Sequence, residues 1–168
     1  ALQLQPDRED TFSNMLLALN YHPDRSAAEI FSAYQTYNER FAVPLHGEWR
    51  VPSNHCDPRR LLKLGYILPA FSAGSLRHFL EPLLAHHSKQ VVDVYAYAEF
   101  DTSDLPTSLY RRYVDHWVVS RELSDQQLAQ RIREDGIDVL VDLVGHTANN
   151  RLLVFARKPA PVSVAWLM

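Results

Sequence analysis

With one cysteine, Cys56, in 168 residues, this chain cannot close an internal disulfide, and so sparse a thiol count fits a reducing compartment. Cys56 lies in the polar stretch SNHCDPRR, with no thiolate-activating pattern around it, and reads as an incidental thiol. A basic excess is missing too: 17 Lys and Arg stand against 20 Asp and Glu, a net charge of -3. Binding a phosphate backbone needs a basic face, so nucleic acid is excluded as the main partner. The pairs Arg59-Arg60 and Arg111-Arg112 are too isolated to supply one and read as solvated surface. No apolar run approaches a membrane span, and the start of the chain lacks a signal-peptide profile. No membrane partner and a cytoplasmic location are therefore expected. Neither a G-x-G-x-x-G after a strand nor a Walker A sequence occurs, which removes the usual signs of a dinucleotide or P-loop site. His86 and His87 are adjacent at a helix end and cannot face one metal from one side of it. They read as solvent-exposed, and no metal site is expected.

What is present is a change of period near Arg60. Before it, Phe12, Met15, Leu16 and Leu19 recur at helical spacing until NYHPD stops them. A second helix opens at Ser26, with Glu29 placed to complete a capping box. Its apolar stripe runs Ala27, Ile30, Phe31, Tyr34, Tyr37 and Phe41, and is expected to pack on the rest of the protein through Phe31 and Tyr34. Residues 42–60 lack any period and read as a linker.

After Arg60 strands and helices alternate. Apolar runs at 62–68, 91–98, 117–120 and 137–143 read as strands, and KPAPVSVAWL near the end as a fifth. Leu76, Phe79, Leu80, Leu83 and Leu84 trace a helix that contains Pro82, a residue that should kink it. A weaker helix is expected over 104–116. A firmer one begins at Ser124, with Gln127 completing a capping box and Gly136 as its stop. Strands buried on both faces and separated by helices give a Rossmann-like, doubly wound parallel sheet, an α/β fold preceded by two helices.

In such a sheet ligands bind at the carboxyl ends of the strands, where the order reverses. With the order 3-2-1-4-5, strands one and four are neighbours and their loops, 69–75 and 143–149, open on one crevice. Both are rich in small residues and each feeds a helix amino terminus. Gly, Asn and Thr after a strand are equally good turn and cap chemistry. The residues alone leave open whether His146 and Thr147 serve a ligand or only end a strand.

Three stretches, SNMLLALNYHPDRSAAEIF, GYILPAFSAGSLRHFLEPLLAHH and RIREDGIDVLVDLVGHTANNRLLVFARKPAPVSVAWL, closely resemble bacterial O-GlcNAc transferases and their SPINDLY-like relatives. The resemblance implies half of a GT-B fold, in which two Rossmann-like halves enclose the active site. It also implies inverting transfer of a sugar from a nucleotide donor to protein Ser or Thr hydroxyls. UDP-GlcNAc is the expected donor, with fucose transfer also found among relatives, and no metal or other cofactor is implied. On this reading residues 1–60 are a helical lead-in and linker, and 61–168 the first catalytic half. The tetratricopeptide region and the second half, both absent, would be its partners alongside the acceptor proteins, and the chain alone would be inactive. Carried over residue by residue, Gly145, His146 and Thr147 match the second cleft loop, with His146 and Thr147 as catalytic candidates. Phe71, Gly74, Ser75 and Asn149 complete the two cleft loops. The first loop departs from the family: where Asp-Phe-x-x-His is usual, this chain has Ala70-Phe71-Ser72-Ala73-Gly74, so Gly74 replaces an active-site histidine. That replacement keeps a second reading open, a non-catalytic, protein-binding remnant of the same fold.

Overall fold

In the computed structural model, residues 7–68, 76–99 and 110–166 are described. Helices α1 (Glu9–Leu19) and α2 (Ala27–Tyr37) come first. Then follow β1 (Leu62–Leu68), α3 (Leu76–Ala85), β2 (Val92–Ala98), β3 (His116–Val119), α4 (Asp125–Asp135), β4 (Val139–Asp142), α5 (Leu152–Ala156) and β5 (Val162–Ala165). The sheet is parallel throughout, in the order β3-β2-β1-β4-β5. The expected adjacency of the first and fourth strands is present, with Ile67 opposite Asp142 at their carboxyl ends.

Both capping boxes form. Ser26 accepts from the Glu29 N–H, and Ser124 from the Gln127 N–H, at the first turns of α2 and α4. Gly136 ends α4 at φ 68°, a left-handed conformation that glycine adopts without steric cost. The helix α3 continues through Pro82 to Ala85. The weak helix expected over 104–116 lies largely outside the described residues.

Side chains on successive strand residues enter two separate cores, as the two-unit period of a strand requires. Tyr66, Leu68, Val94, Ala96 and Val141 pack beneath α3 with Leu80 and Leu84. Ile67, Tyr95, Tyr97 and Leu140 pack on the other face with Leu128, Ile132 and Val154 from α4 and α5. The edge strand β5 is exposed along its length.

Four expectations are corrected. Phe31 does not pack: it is 64% exposed, while Tyr37, with Phe12 and Leu16 of α1, is the buried part of the stripe, joined by Tyr34 and Leu152 of α5. A helical stripe is wider than the contact it makes, and its period does not say which edge turns inward. The stretch after α2 is not all irregular, since Asn38–Ala42 and Val43–Glu48 continue as π and 3-10 turns. Arg60 is not solvated surface; its guanidinium grips the Asp138 carboxylate with two hydrogen bonds of 2.6 Å, at the amino-terminal end of β4. His87 is likewise not free, because its Nε2 meets the Tyr66 hydroxyl at 2.9 Å and burial lowers its pKa.

Gly65 is the point where β1 comes closest to the second core. A Cβ there would stand 3.1 Å from side-chain carbons of Ile137, Leu140 and Tyr97, three residues that are themselves buried. Gly65→Val should therefore destabilise the protein by about 1–3 kcal/mol. The check is a urea midpoint that falls while the slope of the transition stays unchanged.

Candidate functional site

The loop after β4 is fixed at its base by Asp142, the last residue of the strand and 5% exposed. Its carboxylate accepts the N–H groups of Val144 at 3.0 Å and Gly145 at 3.1 Å, turning the chain back on itself. Burial raises the Asp142 pKa, and these backbone donors hold it back. Gly145 takes φ 54° at this turn and Asn149, which is exposed, takes φ 59°. The Thr147 hydroxyl donates to the Val144 carbonyl at 2.8 Å. Thr147 thus closes the loop from within.

His146 points at the leading helices. Its ring lies edge-on to Tyr34 and Tyr37, with centroids at 5.1 and 4.9 Å, and its Nδ1 is 2.8 Å from the hydroxyl of Ser13 on α1. Ser13 is fully buried, and its oxygen also accepts from the Asn150 side-chain amide at 3.0 Å. Ser13 Oγ and His146 Nδ1 thus share one hydrogen bond, in which the donor is set by the imidazole tautomer. Burial lowers the His146 pKa, so the ring is neutral near pH 7. Beneath it, the Tyr37 hydroxyl donates to Glu9. Burial raises the Glu9 pKa, and the nearby Asp125 adds to the rise.

The far end of the loop is held by Arg151. Its guanidinium donates to Glu99 at 2.8 Å, to Asp125 at 2.9 Å, and to the carbonyls of Leu123 and Ser120 at 3.0 and 3.1 Å. Glu99, 8% exposed, also accepts from the Ser120 hydroxyl at 2.6 Å. Burial works against the charge of Arg151, but the two carboxylates outweigh it and its pKa is raised.

Of the sequence-chosen residues, Gly145, His146, Thr147 and Asn149 share this loop, whereas Phe71, Gly74 and Ser75 lie outside the described residues. Since β1 and β4 are neighbours, both loops leave adjacent strand ends. Ser13, Glu99, Asn150 and Arg151 were not singled out by sequence reasoning. Their signal, polar residues within or beside apolar runs, is too common to select them. As built, the loop offers a neutral histidine whose Nε2 makes no hydrogen bond among the described residues. According to its tautomer, that nitrogen can donate or accept a hydrogen bond. No group of three His, Cys, Asp or Glu among the described residues could hold a metal ion.

The family model for glycosyl transferase family 41 matches residues 11–168. The chain belongs to that family. Among its relatives, the probable UDP-N-acetylglucosamine–peptide N-acetylglucosaminyltransferase SPINDLY of Arabidopsis thaliana is 35% identical over 98% of this chain and 18% of its own length. The Petunia hybrida protein of the same name is 32% identical over 99% of this chain and 18% of its own. A mutant of the Thermobaculum terrenum O-GlcNAc transferase superposes with a TM-score of 0.89 at 35% identity, covering 99% of this chain and 32% of that one. The chain therefore spans about a fifth of the length of these curated relatives. Its five-stranded parallel sheet with flanking helices is the fold of a family 41 transferase over the matched part. No helix among the described residues is long and apolar enough to cross a membrane.

Two measurements test this architecture. The folded pKa of His146 lies below its unfolded value of about 6.5, so the unfolded chain takes up the proton first. Its contribution to stability is complete above about pH 6.5 and is lost as the pH falls through the folded value. Compared with His146→Gln, the wild-type protein should lose more thermal stability between pH 7 and 5, and the two should run parallel above pH 7. His87 is common to both and cancels. Separately, Arg151→Met leaves Glu99 buried without its cation and should cost about 3–5 kcal/mol. Adding Glu99→Gln should recover part of that loss in urea unfolding, because the uncompensated charge is then gone.

Proposed function

We propose that this chain is the first Rossmann-like half of a GT-B glycosyltransferase. It takes part in moving N-acetylglucosamine from UDP-GlcNAc to Ser or Thr hydroxyls of proteins. The observation that carries the reading is the family match over residues 11–168, together with relatives whose names state peptide N-acetylglucosaminyl transfer from UDP-N-acetylglucosamine. Residues 1–60 would be the lead-in that seats the catalytic part, and 61–168 one wall of the cleft.

Transfer to a hydroxyl requires the acceptor oxygen to be aligned with the anomeric carbon and the leaving diphosphate to be stabilised. In this half His146 and Thr147 act on the first requirement as positioning residues. Thr147 closes the loop onto Val144, and His146 pins it to α1 through Ser13. Gly145 and Asn149, in left-handed backbone conformations, set the loop's path. Phe71, Gly74 and Ser75 would contribute from the neighbouring loop, where glycine in place of histidine offers only main chain to the reacting groups. Stabilisation of the diphosphate would fall to a second half, which is also the partner that completes the cleft.

A fusion of this chain to the second catalytic half of a related enzyme tests the reading by radiolabelled sugar transfer to a Ser/Thr peptide. The fusion should transfer slowly. Gly74→His should raise its rate about a hundredfold or more, the usual contribution of one positioned acid–base or orienting group, and His146→Ala should lower it. Equal rates in all three proteins would remove both loops from the reaction. No transfer by any of them would favour the protein-binding remnant.

A further inference from the structure

At the end of the sheet opposite loop 143–149, the linker crosses α4 beside the turn that follows α5. Asn54 of the linker donates to the Gly136 carbonyl and to Asp138 there. Between these elements lies a cavity of about 180 Å³, with Arg50, Ser53, Gln130, Arg133, Glu134 and Lys158 among its walls. It adjoins a wider trough, walled in part by Trp49, Gln126 and Gln127, that shares Arg50, Gln130, Arg133 and Glu134 with it.

The charges here are unusual for a chain of net charge -3. Neighbouring Arg131 and Arg157 are neutralised by Asp135 and Glu48. Arg50, Arg133 and Lys158 form no ion pair among the described residues. Lys158, exposed and at φ 45°, stands with its ammonium 5.1 Å from the centroid of the Trp49 ring. Arg133 donates through one nitrogen to the carbonyls of Glu48 and Arg157, while its Nε is buried without a partner among the described residues. Burial lowers the Arg133 pKa, and Arg50 and Arg157 lower it further against the opposing pull of Glu48. Of the two carboxylates here, Glu48 is paired with Arg157 and Glu134 accepts from Gln130. With the Arg157–Glu48 pair neutral, Arg50, Arg133 and Lys158 face Glu134 and leave two positive charges in excess among the described residues.

We propose that this cavity binds the dianionic phosphoryl group of a phosphomonoester, whose remainder lies along the Trp49 trough. A dianion balances the excess, which a single carboxylate would not. Guanidinium groups match phosphate oxygens in geometry and charge. The volume is below the roughly 300 Å³ at which ligand pockets for larger molecules begin, so only a small group enters it. The amide side chains and the indole of the trough suit a polar organic remainder. None of this depends on sugar transfer.

Calorimetric titration of the 168-residue chain at constant ionic strength decides it, with O-phosphoserine, serine and inorganic phosphate as the probes. Phosphoserine should bind, serine should not, and inorganic phosphate should bind more weakly than phosphoserine. The double variant Arg50→Gln/Lys158→Gln removes two exposed, unpaired cations and should keep the wild-type melting curve while weakening phosphoserine by about tenfold or more. Phosphoserine binding no better than serine would overturn the proposal, as would unchanged affinity in the double variant. Inorganic phosphate binding as tightly as phosphoserine would replace the phosphomonoester with free phosphate and remove the trough from the site.

Discussion

The guanidinium of Arg151 spans two carboxylates and two main-chain carbonyls where the ends of β2 and β3 meet the start of α4. A buried cation of this kind is tolerated only when its hydrogen-bonding positions are met, and a buried Glu99 only when a cation faces it. Each therefore holds the other in place. Because Arg151 also stands at the start of α5, its position fixes where the loop after β4 must end. Asp142 fixes where that loop begins, through hydrogen bonds to its first N–H groups. Clamped at both ends, the loop has little freedom left except in its middle.

That middle belongs to the leading helices. Ser13 on α1 joins His146 and Asn150, while Tyr34 and Tyr37 on α2 enclose the imidazole with their rings. The helices before the sheet thus help to shape the loop after β4. A displacement of α1 would break the bond to Nδ1 and free the one residue of the loop that titrates near neutrality. Braced in this way, the loop holds one conformation without needing a ligand to order it.

Features written into neighbouring residues were legible in the sequence. Ser26 with Glu29 and Ser124 with Gln127 are three residues apart, and each box closes within one helical turn. The apolar runs of β1, β2 and β4 reveal strands buried on both faces and hence a parallel sheet, while the pairing of β1 with β4 was expected from the common order of such sheets. Phe31 marks the limit of that reasoning, since a stripe of apolar residues names a face without naming its partner. Arg60 and His87 mark another: isolated polar residues look solvated until a distant carboxylate or hydroxyl is brought to them.

The sequence by itself determined the α/β class and the family, because periodicity, caps and motifs are relations among residues close along the chain, whereas the strand order is a pairing of distant segments that the fold displays. Tertiary structure alone decided what the polar side chains do. Ser13 meets His146 across 133 positions, and Arg151 meets Glu99 across 52. The direction of a histidine ring, its tautomer and its charge depend on which donors and dipoles the fold carries to it, and no local pattern contains that information.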